Sequence, residues 1–174
     1  KINEAEICKK YNLPINKKKI LIHGTREGSV KKNYFIKNSE IAFKSLEKLI
    51  KLDNDIVFIN LGGKLHMHDF NHLKNHVFPL PILNRDEIPN IYKICKLLFY
   101  PSIYEGFGRP LLEAMQCGIP IVCSDNSSIP EVVGDTALKN NHDNVEGFVK
   151  DIISFLTNEK LYLLKRQEAL KRSK

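Results

Sequence analysis

Four short apolar runs constrain this chain more than any other feature: "KILIH" at 19–23, "DIVFINLGG" at 55–63, "LLFYPS" at 97–102 and "IPIVCSD" at 119–125. Each has the length and β-branched or aromatic character of a strand, and each is apolar almost without interruption, which a strand tolerates only when both faces are covered. Between them lie segments with helical patterning. In "SEIAFKSLEKLIK" at 39–51, Ile41 or Ala42, Ser45 or Leu46, and Leu49 or Ile50 share a face, Ser39 is available as an N-cap and Glu40 falls in the first turn. Residues 2–11, 84–96, 110–117, the neighbourhood of 130–134, and two segments from about 144 onward read as further helices, and "HVFPLPIL" at 76–83 as an extended piece limited by Pro79 and Pro81. Strands alternating with helices predict an α/β fold, a Rossmann-like parallel sheet with helices on both faces. In such sheets ligands sit beyond the carboxyl ends of the strands, where loops lead into helices.

The chain of 174 residues is one domain's length. It shows no fixed-period repeat or low-complexity block, and only "EALKRSK" at its end reads as a solvated tail. Cys8, Cys95, Cys117 and Cys123 lack any C-x-x-C spacing and sit mostly among apolar residues, so reduced, packed thiols and a cytoplasmic setting are expected. No apolar run reaches the roughly 18 residues that span a bilayer, and the amino-terminal stretch lacks the pattern of a signal peptide. The formal charge of +7 suits an anionic partner, whether a phosphate-bearing small molecule, an acidic membrane or a nucleic acid. The lysines are scattered without interleaved aromatics, which speaks against nucleic acid and leaves a lysine-rich solvated surface as the plain alternative.

The densest chemistry lies in "SIYEGFGRPLLEAMQCG" at 102–118. Pro110 suits the first turn of a helix that Gly118 and Pro120 bring to a stop. The helix start offers unpaired backbone N–H groups, and Gly106 and Gly108 allow a ligand close to the chain. Side chains in a helix lean toward its amino end, so Glu113 reaches back toward a ligand held there, while Glu105 lies on the loop before it. Glycines supply donors and glutamates supply acceptors, a combination suited to a sugar nucleotide. Taken singly, Glu113 could instead complement the helix dipole and Glu105 be an exposed loop residue.

The pattern P-S-x-Y-E-G-F-G-x-P-x-L-E-A-M-x-C-G-x-P-x-V-x-S-D at 101–125, followed by "IPEVVGDTAL" at 129–138, resembles the donor-binding region of retaining glycosyltransferases of family 4, which have the GT-B fold. "KKILIHGTREGSVKKN" resembles that family's first strand and phosphate loop, including Gly24, and "DIVFINLGG" its second strand. The resemblance implies that the whole of 1–174 is the C-terminal, nucleotide-sugar-binding lobe, with 1–18 the interlobe segment and the N-terminal acceptor lobe absent from this stretch. It implies that Glu105 and the amides of Phe107 and Gly108, with Gly106 between them, hold hydroxyls of the transferred sugar. Glu113 would hold the ribose, and Arg26 and Lys32 would contact the diphosphate, making Glu105, Lys32 and Arg26 the catalytic set. Lys32 matches better, because "KN" at 32–33 fits the pattern while "TREGSVK" is longer than the usual loop. Backbone near Leu80, Pro81 and Ile82 would read the base, with Pro81 and Lys96 departing from residues common in the family.

The expected activity is transfer of a sugar from a nucleotide diphosphate donor to a polysaccharide, glycolipid or related acceptor, without cofactor or metal. The expected partners are the donor, the acceptor lobe of the same full-length protein and, through the basic surface, a peripheral contact on the inner face of a membrane, but not nucleic acid. A sugar-nucleotide-binding or regulatory module without transfer, and an epimerase or phosphorylase on the same fold, remain as alternatives. Other constellations carry less. His68, His72 and His76 fall at i, i+4 spacing that would face a metal if helical, but no supporting cysteine or glutamate pattern accompanies them. "DND" at 53–55 precedes a strand and reads as turn chemistry. No nucleophile elbow and no G-x-G-x-x-G fingerprint occurs.

Overall fold

The computed structural model describes residues 3–24, 36–62 and 68–174. Six parallel strands form one sheet: β1 (Lys18–Ile22), β2 (Ile56–Asn60), β3 (Val77–Pro79), β4 (Leu97–Tyr100), β5 (Ile121–Ser124) and β6 (Leu138–Asn140). Their spatial order is β3-β2-β1-β4-β5-β6, so the chain winds outward from β1 in one direction, then restarts at β4 and winds outward in the other. The loops after β1 and β4 therefore diverge, and a crevice opens between them at the carboxyl ends.

The described residues form the helices α1 (Glu4–Lys10), α2 (Ser39–Leu52), α3 (Ile88–Ile94), α4 (Arg109–Cys117), α5 (Ile129–Val133), α6 (Val145–Thr157) and α7 (Glu159–Arg172). Strand side chains alternate between two cores, as their period of two requires. Ile20, Ile22, Phe58, Phe99 and Val122 face a layer built by α2 and α6, and Leu21, Val57, Ile59, Leu98 and Ile121 face the layer of α1, α3, α4, α5 and α7. This is the α/β Rossmann-like fold expected from the sequence, covered on both faces. The cysteines are unbridged; Cys8, Cys95 and Cys123 are buried and Cys117 is partly so.

Several boundaries differ from expectation. Ser39 is the first residue of α2 rather than its cap; the cap position belongs to Asn38, which takes the left-handed conformation at φ 56° and makes no side-chain cap bond. Asn38 Nδ2 instead donates to the carbonyls of Pro101 at 3.0 Å and His142 at 2.7 Å, tying the start of α2 to the end of β4. Strand β2 ends at Asn60, with Leu61 and Gly62 in a turn, and α3 begins only at Ile88. Strand β6 has no counterpart among the expected elements. The tail is not free: α7 continues to Arg172, Ala169 is fully buried, and Arg172 donates to the carbonyls of Val132 and Glu131.

Lys19 is 1 % exposed, and its ammonium lies 2.8 Å from Glu4 Oε1 and 2.9 Å from the carbonyl of Ile15. A buried charge requires such partners, so this lysine fastens α1 and its following turn beneath the sheet. Among the described residues no helix is long and apolar enough to cross a membrane.

Candidate functional site

Glu113 sits in the second turn of α4. Its Oε2 is 3.0 Å from the hydroxyl of Tyr92 on α3, and that hydroxyl is also 2.9 Å from Nε2 of His23, just past β1, and 3.2 Å from the carbonyl of Pro110. The Glu113 carboxylate and the Pro110 carbonyl only accept, so the Tyr92 hydrogen serves these two, the nearer and charged one being Glu113, and the phenol oxygen in turn accepts from His23. That assigns the hydrogen of the imidazole to Nε2. Burial, followed by the positive charge of Lys37, pushes His23 down to about 3, so the ring is neutral at ordinary pH. Burial, followed by the charge of Glu113, raises Tyr92 well above the usual phenol range and keeps its hydroxyl intact.

The other half of the site lies at the tip of β4. Lys37 Nζ donates to the hydroxyl of Tyr100 at 2.9 Å and to Glu105 Oε1 at 2.5 Å, and it stands 5.1 Å over the Tyr100 ring. The Glu105 side chain is 12 % exposed, so this ion pair is largely shielded from water and stronger than a surface pair. The His23 and Tyr100 rings meet edge to face at 6.1 Å. The two glutamates singled out in the sequence are thus joined through Tyr92, His23, Tyr100 and Lys37, across the point where the strand order reverses.

A crevice of about 260 Å³ opens here, walled by Glu113, Lys37, His23, Gly24, Gly62 and Pro81, with Ile82 and Leu83 at the far side. Glu105 reaches it through Lys37. The floor is knotted by Asn60: its Oδ1 accepts from the Gly24 N–H at 2.7 Å, and its carbonyl accepts from the Leu80 N–H at 2.9 Å. Gly24 therefore offers close backbone approach rather than a donor. Leu80, 1 % exposed, supports the wall from beneath, and the crevice itself meets Pro81 and Ile82. Gly62 adopts φ +144°, and a Cβ there would stand 2.6 Å from the Gly24 carbonyl oxygen, so the loops after β1 and β2 touch backbone to backbone.

The loop before α4 is pinned from behind. The Glu105 N–H donates to Ser127 Oγ at 2.9 Å, and its carbonyl accepts from Ser128 Oγ at 3.0 Å. Gly108 occupies the cap position of α4 at φ +79° with no side-chain cap bond, as a helix start suited to an anion requires. Gly106 has open space where a Cβ would be. Phe107 is 56 % exposed and, with Gly106, lines a separate hollow shared with Leu112, Ser128 and Glu131.

Arg26 and Lys32 lie outside the described residues. The cation found beside Glu105 is Lys37, which the sequence reading passed over although it opens a second "KN" pair, at 37–38, directly before α2. His23 and Asn60 were also missed; nothing in their local sequence distinguishes them from ordinary strand-end residues. The histidines of 68–76 do not share a face as an α-helix would have them: His68–Leu73 is a 3-10 turn, His72 pairs with Glu47 at 2.6 Å and His76 bonds the carbonyl of Ile56 at 3.0 Å. Asp53 and Asp55 pair with Lys18 and Lys17.

A doubly wound parallel sheet with a polar crevice at its reversal point defines a Rossmann-like α/β domain with its ligand site at the carboxyl ends of the strands. The sequence matches the family described as Glycosyl transferases group 1 over residues 6–172, and the chain belongs to that family. Among curated relatives, O-antigen chain mannosyltransferase B of Escherichia coli is 43 % identical over 74 residues, which cover 42 % of this chain and 19 % of the relative. Among solved structures, HepE of Anabaena in complex with UDP-glucose superposes with TM-score 0.78 at 18 % identity, covering 98 % of this chain and 47 % of that one. The C-terminal domain of a group 1 glycosyl transferase (LpcC) of Francisella tularensis gives TM-score 0.76 at 18 % identity over 98 % of this chain and 90 % of that one. The structural likenesses give the fold, which is that of GT-B glycosyltransferases. The match spans less than a fifth of the curated relative's length.

Proposed function

We propose that this chain is the donor-binding lobe of a retaining GT-B glycosyltransferase that takes a sugar from a nucleotide diphosphate donor and passes it to a saccharide or glycolipid acceptor held by a separate N-terminal lobe. The observation that carries the reading is the linkage of Glu113 to Glu105 through Tyr92, His23, Tyr100 and Lys37 around one crevice at the switch point. The complex of HepE with UDP-glucose and the mannosyltransferase activity named for the Escherichia coli relative support a nucleotide-sugar donor.

In this reading Glu113, oriented by Tyr92, accepts from the ribose hydroxyls, and the base lies against Pro81 and Ile82. Glu105 accepts from hydroxyls of the sugar to be transferred. The departing diphosphate gains negative charge as the glycosidic bond to it breaks, and a cation already in place stabilises that charge without reorganisation. Lys37 and the uncapped amides at the start of α4 are the groups available for this, and Arg26 and Lys32 are expected to add to them. Neutral His23 fixes Tyr92 without placing a second positive charge behind Lys37. No metal is required in this scheme.

The test is calorimetric titration of the chain with a panel of nucleoside diphosphate sugars, repeated with Glu113→Ala. Binding of one donor, weakened at least tenfold in the variant, is expected; unchanged affinity rejects the ribose role. Without an acceptor lobe the chain is expected to transfer nothing, and turnover at ordinary enzyme rates by this chain alone would overturn the two-lobe reading. A module that binds donor without transfer would be revealed by donor binding in a full-length protein that releases no nucleoside diphosphate in the presence of acceptors.

A further inference from the structure

The far wall of the crevice, residues 81–87, is neither strand nor helix, yet Leu83 and, at the start of α3, Ile88 line the space offered to a guest. The inner end of this wall is held where the Leu80 N–H donates to the Asn60 carbonyl at 2.9 Å. Its outer end is a turn closed twice over. The Glu87 N–H donates to the Asn84 carbonyl at 3.1 Å, and the Asn84 N–H donates to Glu87 Oε2 at 3.2 Å, a reciprocal pattern like that of a capping box. The other oxygen of Glu87 reaches out of the turn: Oε1 accepts from the hydroxyl of Tyr11 at 2.7 Å and pairs with the ammonium of Lys10, both at the carboxyl end of α1. Glu87 occupies the cap position of α3 but makes no side-chain cap bond there. An acid at the start of a helix ordinarily serves the free amides of that helix. Here its carboxylate is given instead to a partner 76 residues earlier in the chain.

A helix of seven residues is not stable alone and depends on what it touches. α1 is held at both ends. Near its start Glu4 pairs with buried Lys19, and beyond its end buried Leu13 donates its N–H to the carbonyl of buried Cys8 at 2.8 Å. Apart from apolar contacts, the Glu87 carboxylate is the one tie from the turn at 84–87 to another element among the described residues. The Lys10 ammonium, then the Tyr11 hydroxyl and the Asn84 N–H, hold Glu87 down to about 2, so it stays an acceptor at every ordinary pH. The two donors on α1 differ in worth. Lys10 has the larger influence on that charge, but its side chain is 61 % exposed and water and salt screen the pair. The Tyr11 hydroxyl is partly buried and gives a directed bond to a charged oxygen, which is the stronger kind. We propose that Glu87 is a positioning residue: through Tyr11 it braces the crevice wall at 83–88 against α1, and so fixes the fit of the nucleoside end of the donor. Which ligand the brace serves rests on the proposed function; the brace itself does not.

The experiment is amide hydrogen exchange, followed by NMR, and calorimetric titration of the chain and of Tyr11→Phe, Lys10→Met and Glu87→Ala. Tyr11 and Lys10 do not line the crevice, so neither substitution removes a ligand contact. In Tyr11→Phe the Asn84 and Glu87 amides should exchange about tenfold faster, as expected for loss of one hydrogen bond to a charged group, while the Leu80 amide keeps its rate. Lys10→Met should change them less than about threefold. The nucleoside and the nucleoside diphosphate of the preferred donor should each bind Tyr11→Phe about fivefold more weakly; loss of a phosphate contact would spare the nucleoside. Adding Tyr11→Phe to Glu87→Ala should have no further effect, because the two residues act through one bond. Unchanged exchange at Asn84 and Glu87 in Tyr11→Phe overturns the brace. Faster exchange with unchanged nucleoside affinity overturns the positioning role and leaves Glu87 a stabilising contact only. If the wild type binds no nucleotide, the donor reading and the effect on fit both fall, and the exchange result still decides the brace. Melting curves check that each variant folds, and Tyr11→Phe, which loses a single hydroxyl, carries the test if Glu87→Ala does not fold.

Discussion

The hydroxyl of Tyr92 lies 3.0 Å from Oε2 of Glu113, so the acid assigned to the ribose is oriented by a side chain from a different helix. Tyr92 is fully buried. Tyr92→Phe keeps the packing of the ring but strips Glu113 and His23 of their shared partner. Loss of a buried hydrogen-bonding group costs about 1–3 kcal/mol, to be read from denaturant unfolding, and donor affinity should fall with it. A variant destabilised to that extent but binding donor as tightly as the wild type would show that Glu113 does not depend on Tyr92 for its position.

His23 makes stability depend on pH. Its value in the folded chain is about 3, below the ordinary 6.5, so the unfolded chain takes up the proton first as pH falls. Stability from this residue is therefore complete above about pH 6.5 and is lost progressively as the pH falls toward 3, by at most about 1.4 kcal/mol per pH unit. Because the residue keeps some exposed surface, the observed slope should be smaller. Unfolding measured between pH 7 and pH 4 on wild type and His23→Gln checks this: the variant should lack this part of the slope, and parallel curves would refute it.

Gly106 and Gly108 should respond differently to alanine. At Gly108 the backbone is at φ +79° and a Cβ would meet Leu111 Cδ1 at 2.9 Å, so Gly108→Ala should destabilise the fold by about 1–2 kcal/mol. At Gly106 nothing lies within 4 Å, so Gly106→Ala should leave stability unchanged to within about 0.5 kcal/mol. If the space above Gly106 belongs to the donor sugar, the same substitution weakens donor binding. Thermal melts and calorimetry separate the two effects.

Lys37→Met removes the cation between Glu105 and the crevice. In the proposed function Lys37 faces the diphosphate, so affinity for the nucleoside diphosphate should drop at least tenfold while affinity for the matching nucleoside stays the same. Equal losses for both ligands would mean that the substitution distorts the crevice and that Lys37 has no particular bond to phosphate.

The alternation of strands and helices was legible because buried parallel strands leave little freedom in composition: Ile20, Leu21, Ile56, Val57, Leu97 and Leu98 must all be apolar. Strand β6 escaped notice because Leu138–Asn140 has only three residues, all partly exposed, at the edge of the sheet. The histidines at 68–76 suggested one helical face, but an i, i+4 spacing means nothing once the backbone is a 3-10 turn running toward β3. Glu105 and Glu113 could be picked out because their motif is contiguous. The residues that connect them could not, since His23, Lys37, Tyr92 and Tyr100 come from four distant places and meet only through the strand order. Gly24 and Leu80 were marked for the site, yet their N–H groups serve Asn60, a partner that only the fold reveals.

That arrangement at Asn60 has a mechanical outcome. One side chain and its own carbonyl clasp the loops that follow β1 and β3, while Gly62 presses the loop after β2 against Gly24. Gly24, Gly62 and Leu80 cannot shift outward singly without breaking a bond or losing a close contact. The base of the cleft therefore works as a fixed gauge: a guest must match its width as it stands, and adaptation to different guests falls to the side chains that line the mouth.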